Sequence, residues 1–214
     1  MQLLFGILLA IIIAYLAFRA RSLDRSGAYA AFVVGTVIFG LGGWRWAILL
    51  LTFFITSSAL SKMFKARKRE ANEKYAKGGQ RDAGQVFGNG GIPALFAALH
   101  IFFPEATWPW LGFAASLAAV NADTWATELG VLSPTSPRLI TDLRKVVEKG
   151  TSGGVSTVGT LASLAGAGVI GLLAALLPAL SAVEGAPTDI DWSIFLWITI
   201  AGLLGALFDS LLGA

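Results

Sequence analysis

Long apolar segments alternate with short polar segments along the whole chain. A helix that crosses a bilayer needs about 20 mostly apolar residues, and seven segments come near that length. The fourth is the shortest and is edged by Gly and Pro. The pattern predicts an all-α integral membrane protein with about seven transmembrane helices, in one polytopic membrane domain that spans residues 1–214. The predicted spans are 2–18, 27–42, 45–61, 90–104, 108–131, 154–177 and 192–212.

The composition agrees with a membrane protein. The chain is 56% hydrophobic and 14% charged, whereas soluble domains carry about 25% charged residues. Cysteine is absent, which excludes disulfides, thiol nucleophiles and cysteine metal sites. A single histidine disfavours histidine-rich metal sites and Ser-His-Asp chemistry. The first span lacks a basic leader and a small-residue cleavage site, so we expect it to be retained.

Basic residues predict the orientation. Every Lys and Arg except Arg45 falls in the segments 19–26, 62–89 and 132–153. Since cytoplasmic loops are enriched in Lys and Arg, we expect the N-terminus outside and the C-terminus in the cytoplasm. The basic loop at 62–89 either sets this topology and attracts anionic lipids or holds nucleotide phosphates. For the second role Arg81 is the best candidate.

Three acids lie inside predicted spans, and they are the first candidates for chemistry. Charges in the membrane usually face the bundle interior or a water-filled cavity. They either clamp helices together or bind a cation. Both of their helices run towards the cytoplasmic side, so we expect the acids to meet there. Carboxylates and an Asn carbonyl are hard oxygen ligands of the kind that Mg²⁺ takes. The predicted Mg²⁺ ligands are Asp123, Glu128, Asp209 and Asn121.

Two glycine-rich stretches lie on the same side. QVFGNGGIPALFA opens predicted span four, and KGTSGGVSTVGT opens span six. Glycine lets backbone N–H groups turn inward, and a helix N-terminus favours anions. Each stretch is therefore either a phosphate cradle or a simple helix start. The candidate phosphate ligands are Asn89, Gly90, Gly91, Gly150, Thr151, Ser152, Gly153, Gly154 and Ser156, with the flanking cations Arg138, Lys145 and Lys149.

Five strings in this order resemble a known family. QVFGNGGIPAL, NADTWATELG, SPRLIT, KGTSGGVS and GALFDSLLGA are similar to motifs of the polytopic membrane family that includes phytyl-phosphate kinase of tocopherol synthesis and transmembrane protein 19. The resemblance implies active-site positions at Asp123, Glu128 and residues 151–156. It covers the whole chain, with specific motifs from about residue 85 onward. Similar proteins usually continue beyond DSLLGA, so we expect a naturally short or truncated chain.

The resemblance also implies an activity. The expected protein is a Mg²⁺-dependent kinase in the membrane, with its active site facing the cytoplasm. It would transfer a phosphoryl group from a nucleoside triphosphate, with CTP favoured, to a prenyl monophosphate such as phytyl phosphate. Phosphoryl transfer needs positioning and charge neutralisation more than covalent help. A phosphate monoester acceptor needs no general base, whereas an alcohol acceptor would want one.

Two other functions stay open. Intramembrane acids and interrupted helices are also features of ion-coupled transporters. A CTP-dependent cytidylyltransferase or polyprenol kinase is the other alternative, since the family is distantly similar to those enzymes. The expected partners are the nucleotide, the prenyl lipid and membrane lipids, and no nucleic acid is expected. The sequence leaves the oligomeric state open.

Overall fold

The computed structural model describes residues 1–64, 80–180 and 189–214. Seven helices lie in these ranges, as the hydrophobic pattern predicts. They are α1 (Gln2–Arg19), α2 (Arg25–Val37), α3 (Trp44–Met63), α4 (Ala83–Leu99), α5 (Trp108–Gly130), α6 (Thr157–Ala179) and α7 (Trp192–Leu212). Part of the predicted basic loop at 62–89 lies outside the described residues.

Five of these helices are long and apolar enough to cross a membrane. They are α1, α2 with its π-helical extension Ile38–Gly42, α3, α6 and α7. Large apolar side chains on α1 and α7 point outward, where a lipid environment would cover them. The helical membrane architecture is thereby confirmed. That α4 and α5 also span, and that the N-terminus is outside, remain predictions.

The beginning of α4 corrects one predicted boundary. The helix begins at Ala83, whereas the apolar pattern suggested residue 90. The carboxylate of Asp82 accepts the backbone N–H of Gln85 at 2.9 Å, and the Gln85 side chain accepts the N–H of Asp82 at 3.2 Å. This reciprocal cap starts a helix wherever it forms. The GNGG stretch therefore lies inside α4 and does not open it.

Helix α5 lies at the centre and packs against α3, α4, α6 and α7. Its closest packing is with α6 and α7, where small residues let the backbones approach. A Cβ added at Gly202 of α7 would lie 2.8 Å from the Cβ atoms of Ala118 on α5 and Ala167 on α6. The three C-terminal helices thus form one tightly packed unit.

The N-terminal helices form a second group. Helix α2 packs against α1 and α4, and the turn between α1 and α2 is tied to the segment before α4. Arg81 N–H donates to the Ser22 carbonyl at 3.0 Å, and Asp24 N–H donates to the Arg81 carbonyl at 3.1 Å. These bonds fix the backbone of Arg81 where α1 ends and α2 and α4 begin.

We call this end of the bundle the basic end. Helices α1, α3, α5 and α7 finish there, and α2, α4 and α6 begin there. Among the described residues, the basic side chains at or beside these helix ends are Arg19, Arg21, Arg25, Lys62, Arg81, Arg138, Arg144, Lys145 and Lys149.

A small sheet in the connection from α5 to α6 departs from the all-α expectation. Strand β1 (Arg138–Leu139) is central and pairs antiparallel with β2 (Asp142–Val146) and β3 (Gly154–Val155). The strands are too short for an alternating pattern to reveal them. The sheet lies at the basic end and leads directly into α6.

Candidate active site

A polar cavity of about 300 Å³ opens at the basic end among α5, α6, α7 and the β3 loop. Asp123 and Thr127 of α5 line it, as does Asp209 of α7. Thr127 and Asp209 are exposed and Asp123 is half-buried, so the cavity is open to solvent or to the headgroup region. Because charged and polar side chains line it, this cavity is the first candidate in the described structure for binding a charged ligand.

Asp123 and Asp209 form the acidic wall of this cavity. They come from neighbouring helices that pack together, and both line the same cavity. Two carboxylates held together repel each other unless a proton or a cation lies between them. The two carboxylates therefore favour the binding of a proton or a cation between them.

The glycine-rich loop that sequence reasoning singled out forms another wall of the cavity. Gly150, Thr151, Ser152, Gly153 and Gly154 all line the cavity. Gly150 and Gly153 have φ angles of 85° and 76°, which an L side chain rarely adopts. The loop can take this compact course only because glycine occupies both positions.

Ser156 completes this wall at the start of α6. Its hydroxyl accepts the backbone N–H of Gly159 at 3.1 Å and so caps the helix. The N-terminal turn of α6 points its positive end at the cavity, which favours anions there. Predicted span six thus does begin with a capped helix at the glycine-rich loop.

Lys149 supplies a cation at the rim of the cavity. Its ammonium donates to the carbonyls of Ser133 at 2.7 Å and Val131 at 3.2 Å. These bonds tie the end of α5 to the loop, so Lys149 is held in place. The other two predicted cations lie elsewhere: Arg138 donates to the Leu143 carbonyl at 2.7 Å within the sheet, and Lys145 is exposed on β2. Neither of them lines the cavity.

Glu128 faces away from the cavity, which corrects the expected meeting of three acids. It is buried, and Ser61 of α3 donates a hydrogen bond of 2.6 Å to its Oε1 atom. The charge of Glu128 also reaches Arg81: burial lowers the pKa of Arg81, and Glu128 raises it. Glu128 therefore belongs to the α3 side of α5, and only Asp123 and Asp209 share the cavity.

Asn121 holds three helices together. Its Nδ2 donates to the Gly166 carbonyl of α6 at 2.8 Å, and its Oδ1 accepts the hydroxyls of Thr56 and Ser57 of α3, both at 3.4 Å. The side chain is fully buried and does not line the cavity. In this structure Asn121 thus joins α3, α5 and α6, and its role as a metal ligand stays a prediction.

Asn89, Gly90 and Gly91 do not lie at the start of a helix, where the predicted phosphate cradle would place them. These residues lie in the second and third turns of α4, where N–H groups bond to carbonyls four residues earlier. Gly90 packs against Val34 of α2, and a Cβ there would lie 2.8 Å from its Cγ1 atom. The two glycine-rich stretches therefore have different roles, and only the second borders the cavity.

Sequence reasoning missed several hydroxyl groups of the cavity wall. Thr160 and Ser163 on α6 and Ser210 on α7 line it beside the acids. The spacing of Thr160 and Ser163 by three places them on one helix face. That face continues from the Ser156 cap, and this continuity could have revealed them.

The two carboxylates fit a magnesium ion held jointly with phosphates. No group of three or more His, Cys, Asp or Glu side chains in the described ranges could hold a metal. Mg²⁺ usually takes one or two carboxylates, keeps several waters and completes its shell with substrate phosphates. The donor set of Asp123, Asp209 and nearby hydroxyls matches that mode of binding, and it does not match a dedicated all-protein cage.

Comparison with known proteins shows the family. Residues 8–214 match the family described as integral membrane protein DUF92, and the chain belongs to that family. Protein PGR of Arabidopsis thaliana is 37% identical over 227 residues, which cover all of this chain and 78% of that protein. An uncharacterized membrane protein of Methanocaldococcus jannaschii, MJ0933, is 37% identical over 215 residues, which cover all of this chain and 82% of that protein.

A more distant relative is protein VTE6 of the Arabidopsis thaliana chloroplast. It is 29% identical over 148 residues, which cover 66% of this chain and 44% of that protein. No solved structure matches the chain. These matches confirm the family resemblance drawn from the sequence, and the chain is a multi-pass membrane protein.

Proposed function

We propose that this member of the family DUF92 is a membrane-embedded kinase that transfers the terminal phosphoryl group of a nucleoside triphosphate to a prenyl monophosphate. One observation carries the proposal: Asp123 and Asp209 line the same cavity as the glycine-rich loop and the N-terminus of α6. One wall suits a divalent cation and the other suits phosphate oxygens. A site for a metal-bound polyphosphate needs both.

Each wall has a part in the proposed reaction. The carboxylates of Asp123 and Asp209 would hold Mg²⁺, which would neutralise charge on the transferred phosphoryl group. The backbone amides of the loop and of the first turn of α6 would bind phosphate oxygens. Thr151, Ser152 and Ser156 add hydroxyls to that wall, and Lys149 adds a cation at its rim. These groups position the donor and stabilise charge, and none acts as a covalent nucleophile.

The phosphoryl transfer needs no general base from the protein. An anionic oxygen of the acceptor monophosphate attacks the terminal phosphorus of the donor. The bond from that phosphorus to its bridging oxygen breaks, and the nucleoside diphosphate leaves with the electron pair. The product is the prenyl diphosphate. Because the attacking oxygen is already ionised, the lack of a histidine at the cavity is compatible with this chemistry.

The cavity also borders the membrane-facing side of α7. Ala206 and Leu207 line the cavity, while Leu204, Phe208 and Leu211 of the same helix are exposed. A prenyl chain attached to a phosphate in the cavity could therefore pass along α7 into the bilayer. This path supports a lipid acceptor over a soluble one. The preference for CTP rests on the family resemblance, and the placement of the site on the cytoplasmic side rests on the distribution of basic residues.

The test is a product assay on the purified protein in detergent with Mg²⁺. Geranylgeranyl or phytyl monophosphate is offered with CTP, ATP, GTP or UTP in turn, and products are measured by mass spectrometry. Prenyl diphosphate and nucleoside diphosphate should form in equal amounts. Release of pyrophosphate with a nucleotide-linked lipid would instead identify a cytidylyltransferase.

An ion-coupled transporter is the second candidate, because the acids lie at helix ends beside an open cavity. Purified protein in proteoliposomes would then carry an ion flux in the absence of any nucleotide. Such a flux, together with no prenyl diphosphate from any donor, would overturn the kinase proposal.

A further inference from the structure

A second, apolar slot lies among the N-terminal helices. Helices α1, α2, α3 and α4 line it with residues such as Ala14, Ala31, Phe39 and Leu51. Ala31 on α2 and Phe39 on its π-helical extension are roughly 12 Å apart along the helix at about 1.5 Å per residue. The volume of the slot is about 70 Å³, which is room for a short length of hydrocarbon chain.

The slot ends at a half-buried cation. Arg81 and Asn89 are the only polar side chains among its described lining residues. The guanidinium of Arg81 lies over the rings of Phe53 and Phe54, 5.9 and 5.8 Å from their centroids. Its Nη1 donates to the Ser58 hydroxyl at 2.9 Å. A planar guanidinium has five N–H donors, which makes it well suited to a phosphate group.

The mouth of the slot is at the basic end. Exposed Arg19, Arg21 and Arg25 flank the turn that includes Leu23, itself a lining residue. The acids nearby are engaged as helix caps: Asp24 accepts the N–H of Gly27 at 2.7 Å, and Asp82 caps α4. Both caps remain charged, but the three arginines outnumber the two carboxylates, so the mouth has a net positive charge. The further carboxylate that acts on Arg81 is Glu128. Basic pockets between transmembrane helices are a recurrent site for anionic lipid headgroups.

We propose that this slot binds the headgroup-proximal end of one acyl chain of an anionic bilayer phospholipid, with Arg81 in contact with the headgroup phosphate. Apolar walls that end in a half-buried, backbone-anchored arginine match an amphiphile with a single negative head. The apolar lining and the positive charge of the slot both favour such a ligand.

The slot is distinct from the proposed catalytic cavity. Arg81 faces Glu128 on the α3 side of α5, whereas Asp123 and Asp209 lie on the other side of that helix. A lipid phosphate at Arg81 is thus separated from the carboxylate pair by the body of α5. The occupant we propose is a bound membrane lipid, not the reacting acceptor, and its binding does not depend on the proposed kinase activity.

The test measures retained lipid by native mass spectrometry. The full chain is delipidated in detergent and offered phosphatidylglycerol or phosphatidylcholine. Wild-type protein should retain one phosphatidylglycerol in preference to phosphatidylcholine. Arg81→Gln should weaken this binding by at least about tenfold, the effect of losing one charge-assisted contact.

Two further variants make the result specific. Arg45→Gln removes an arginine at the other end of the bundle, beside the Trp44 ring, and should bind lipid as wild type does. Ala31→Phe fills the slot and keeps Arg81, so it should also lose the lipid. If Arg81→Gln does not fold, Ala31→Phe and the charge-preserving Arg81→Lys decide the question.

Three results would overturn the proposal. They are equal retention of the zwitterionic and anionic lipids, wild-type retention by Ala31→Phe, and one-for-one displacement of phosphatidylglycerol by geranylgeranyl monophosphate. The last result would identify the slot as the acceptor site.

Discussion

Ser61 of α3 donates a hydrogen bond of 2.6 Å to Glu128 of α5, and this bond holds Glu128 on the face of α5 opposite the Asp123 cavity. Residues five positions apart on a helix differ by roughly 140° in direction. The two acids of the NADTWATE string, Asp123 and Glu128, therefore have different neighbours. Asp123 has Asp209 beside it, and Glu128 has the α3 hydroxyl and the charge of Arg81.

The first prediction separates these acids. Asp123→Asn and Asp209→Asn should each lower kcat about 100-fold or more, because each removes a charge at the place where phosphoryl charge develops. Glu128→Gln should lower kcat less and should lower Tm in detergent. The measurement is the prenyl diphosphate assay alongside thermal unfolding.

Asp142→Asn is the matched control, since Asp142 is exposed on β2 and accepts only the N–H of Arg144 at 3.0 Å among the bonds seen in the described chain. It should keep wild-type activity. Full activity in Asp209→Asn would contradict the role assigned to the pair.

The second prediction concerns the glycine-rich loop. Gly153→Ala should weaken nucleotide binding severely, because φ is 76° there and the new Cβ would lie 2.5 Å from that of Ala214. Gly91→Ala should have little effect, since Gly91 lies inside α4 and a Cβ there meets nothing within 4 Å. Nucleotide affinity measured by calorimetry checks both variants. Equal loss in the two would restore the GNGG stretch as a phosphate site.

The third prediction tests the packing of the C-terminal helices. Gly202→Val should destabilise the protein by about 1–3 kcal/mol, because the side chain would enter the contact between α5 and α6. Gly168→Ala on α6 is its counterpart, with open space around the added Cβ. It should be neutral or stabilising, since alanine favours helix over glycine. Thermal unfolding in one detergent compares them, and equal Tm values would argue against tight packing at Gly202.

The fourth prediction concerns Asn121. Asn121→Ala should destabilise the fold by about 1–3 kcal/mol, because it leaves the Gly166 carbonyl and two α3 hydroxyls without their shared partner. Ser116→Ala is a control on the same helix, where the hydroxyl bonds only to the Phe113 carbonyl of its own helix in the described structure. If Asn121→Ala kept wild-type Tm but lost Mg²⁺-dependent activity, the metal role would regain support.

The fifth prediction is a pH dependence at the turn before α2. Hydrogen bonds from the Gly27 N–H and the Ser26 hydroxyl lower the pKa of Asp24 from its usual 3.8. Because the folded value is the lower one, this stabilisation is complete above pH 3.8 and disappears as the pH falls through the folded pKa. Wild-type Tm should therefore fall more steeply than that of Asp24→Asn on acidification. Parallel curves for the two would contradict the cap.

The sequence predicts the helices well and their contacts less well. Helix α6 begins next to Ser156, and α7 spans the predicted residues, because apolar length and a capping side chain are local properties. The start of α4 was misplaced, since the Asp82–Gln85 capping box overrides the helix-breaking tendency of nearby glycines. That cap is also local and could have been found.

The sequence alone could not show that Asp123 and Glu128 contact different helices. Periodicity places each acid on a face of α5, but it does not say which helix covers that face. Glu128 interacts with Ser61 and Arg81, which are both distant from it in sequence. The slot around Arg81 depends in the same way on four helices that meet only in the fold.

The sheet that precedes α6 has a thermodynamic consequence for any ligand of the glycine-rich loop. Ile140 N–H donates to the Gly153 carbonyl at 2.8 Å, and Gly154 N–H donates to the Thr151 carbonyl at 3.0 Å. These bonds order the loop during folding, so little conformational entropy remains to be lost when a phosphate binds. The affinity of this loop for a phosphate should then depend mainly on charge and desolvation. Ordering of the loop on binding should contribute little.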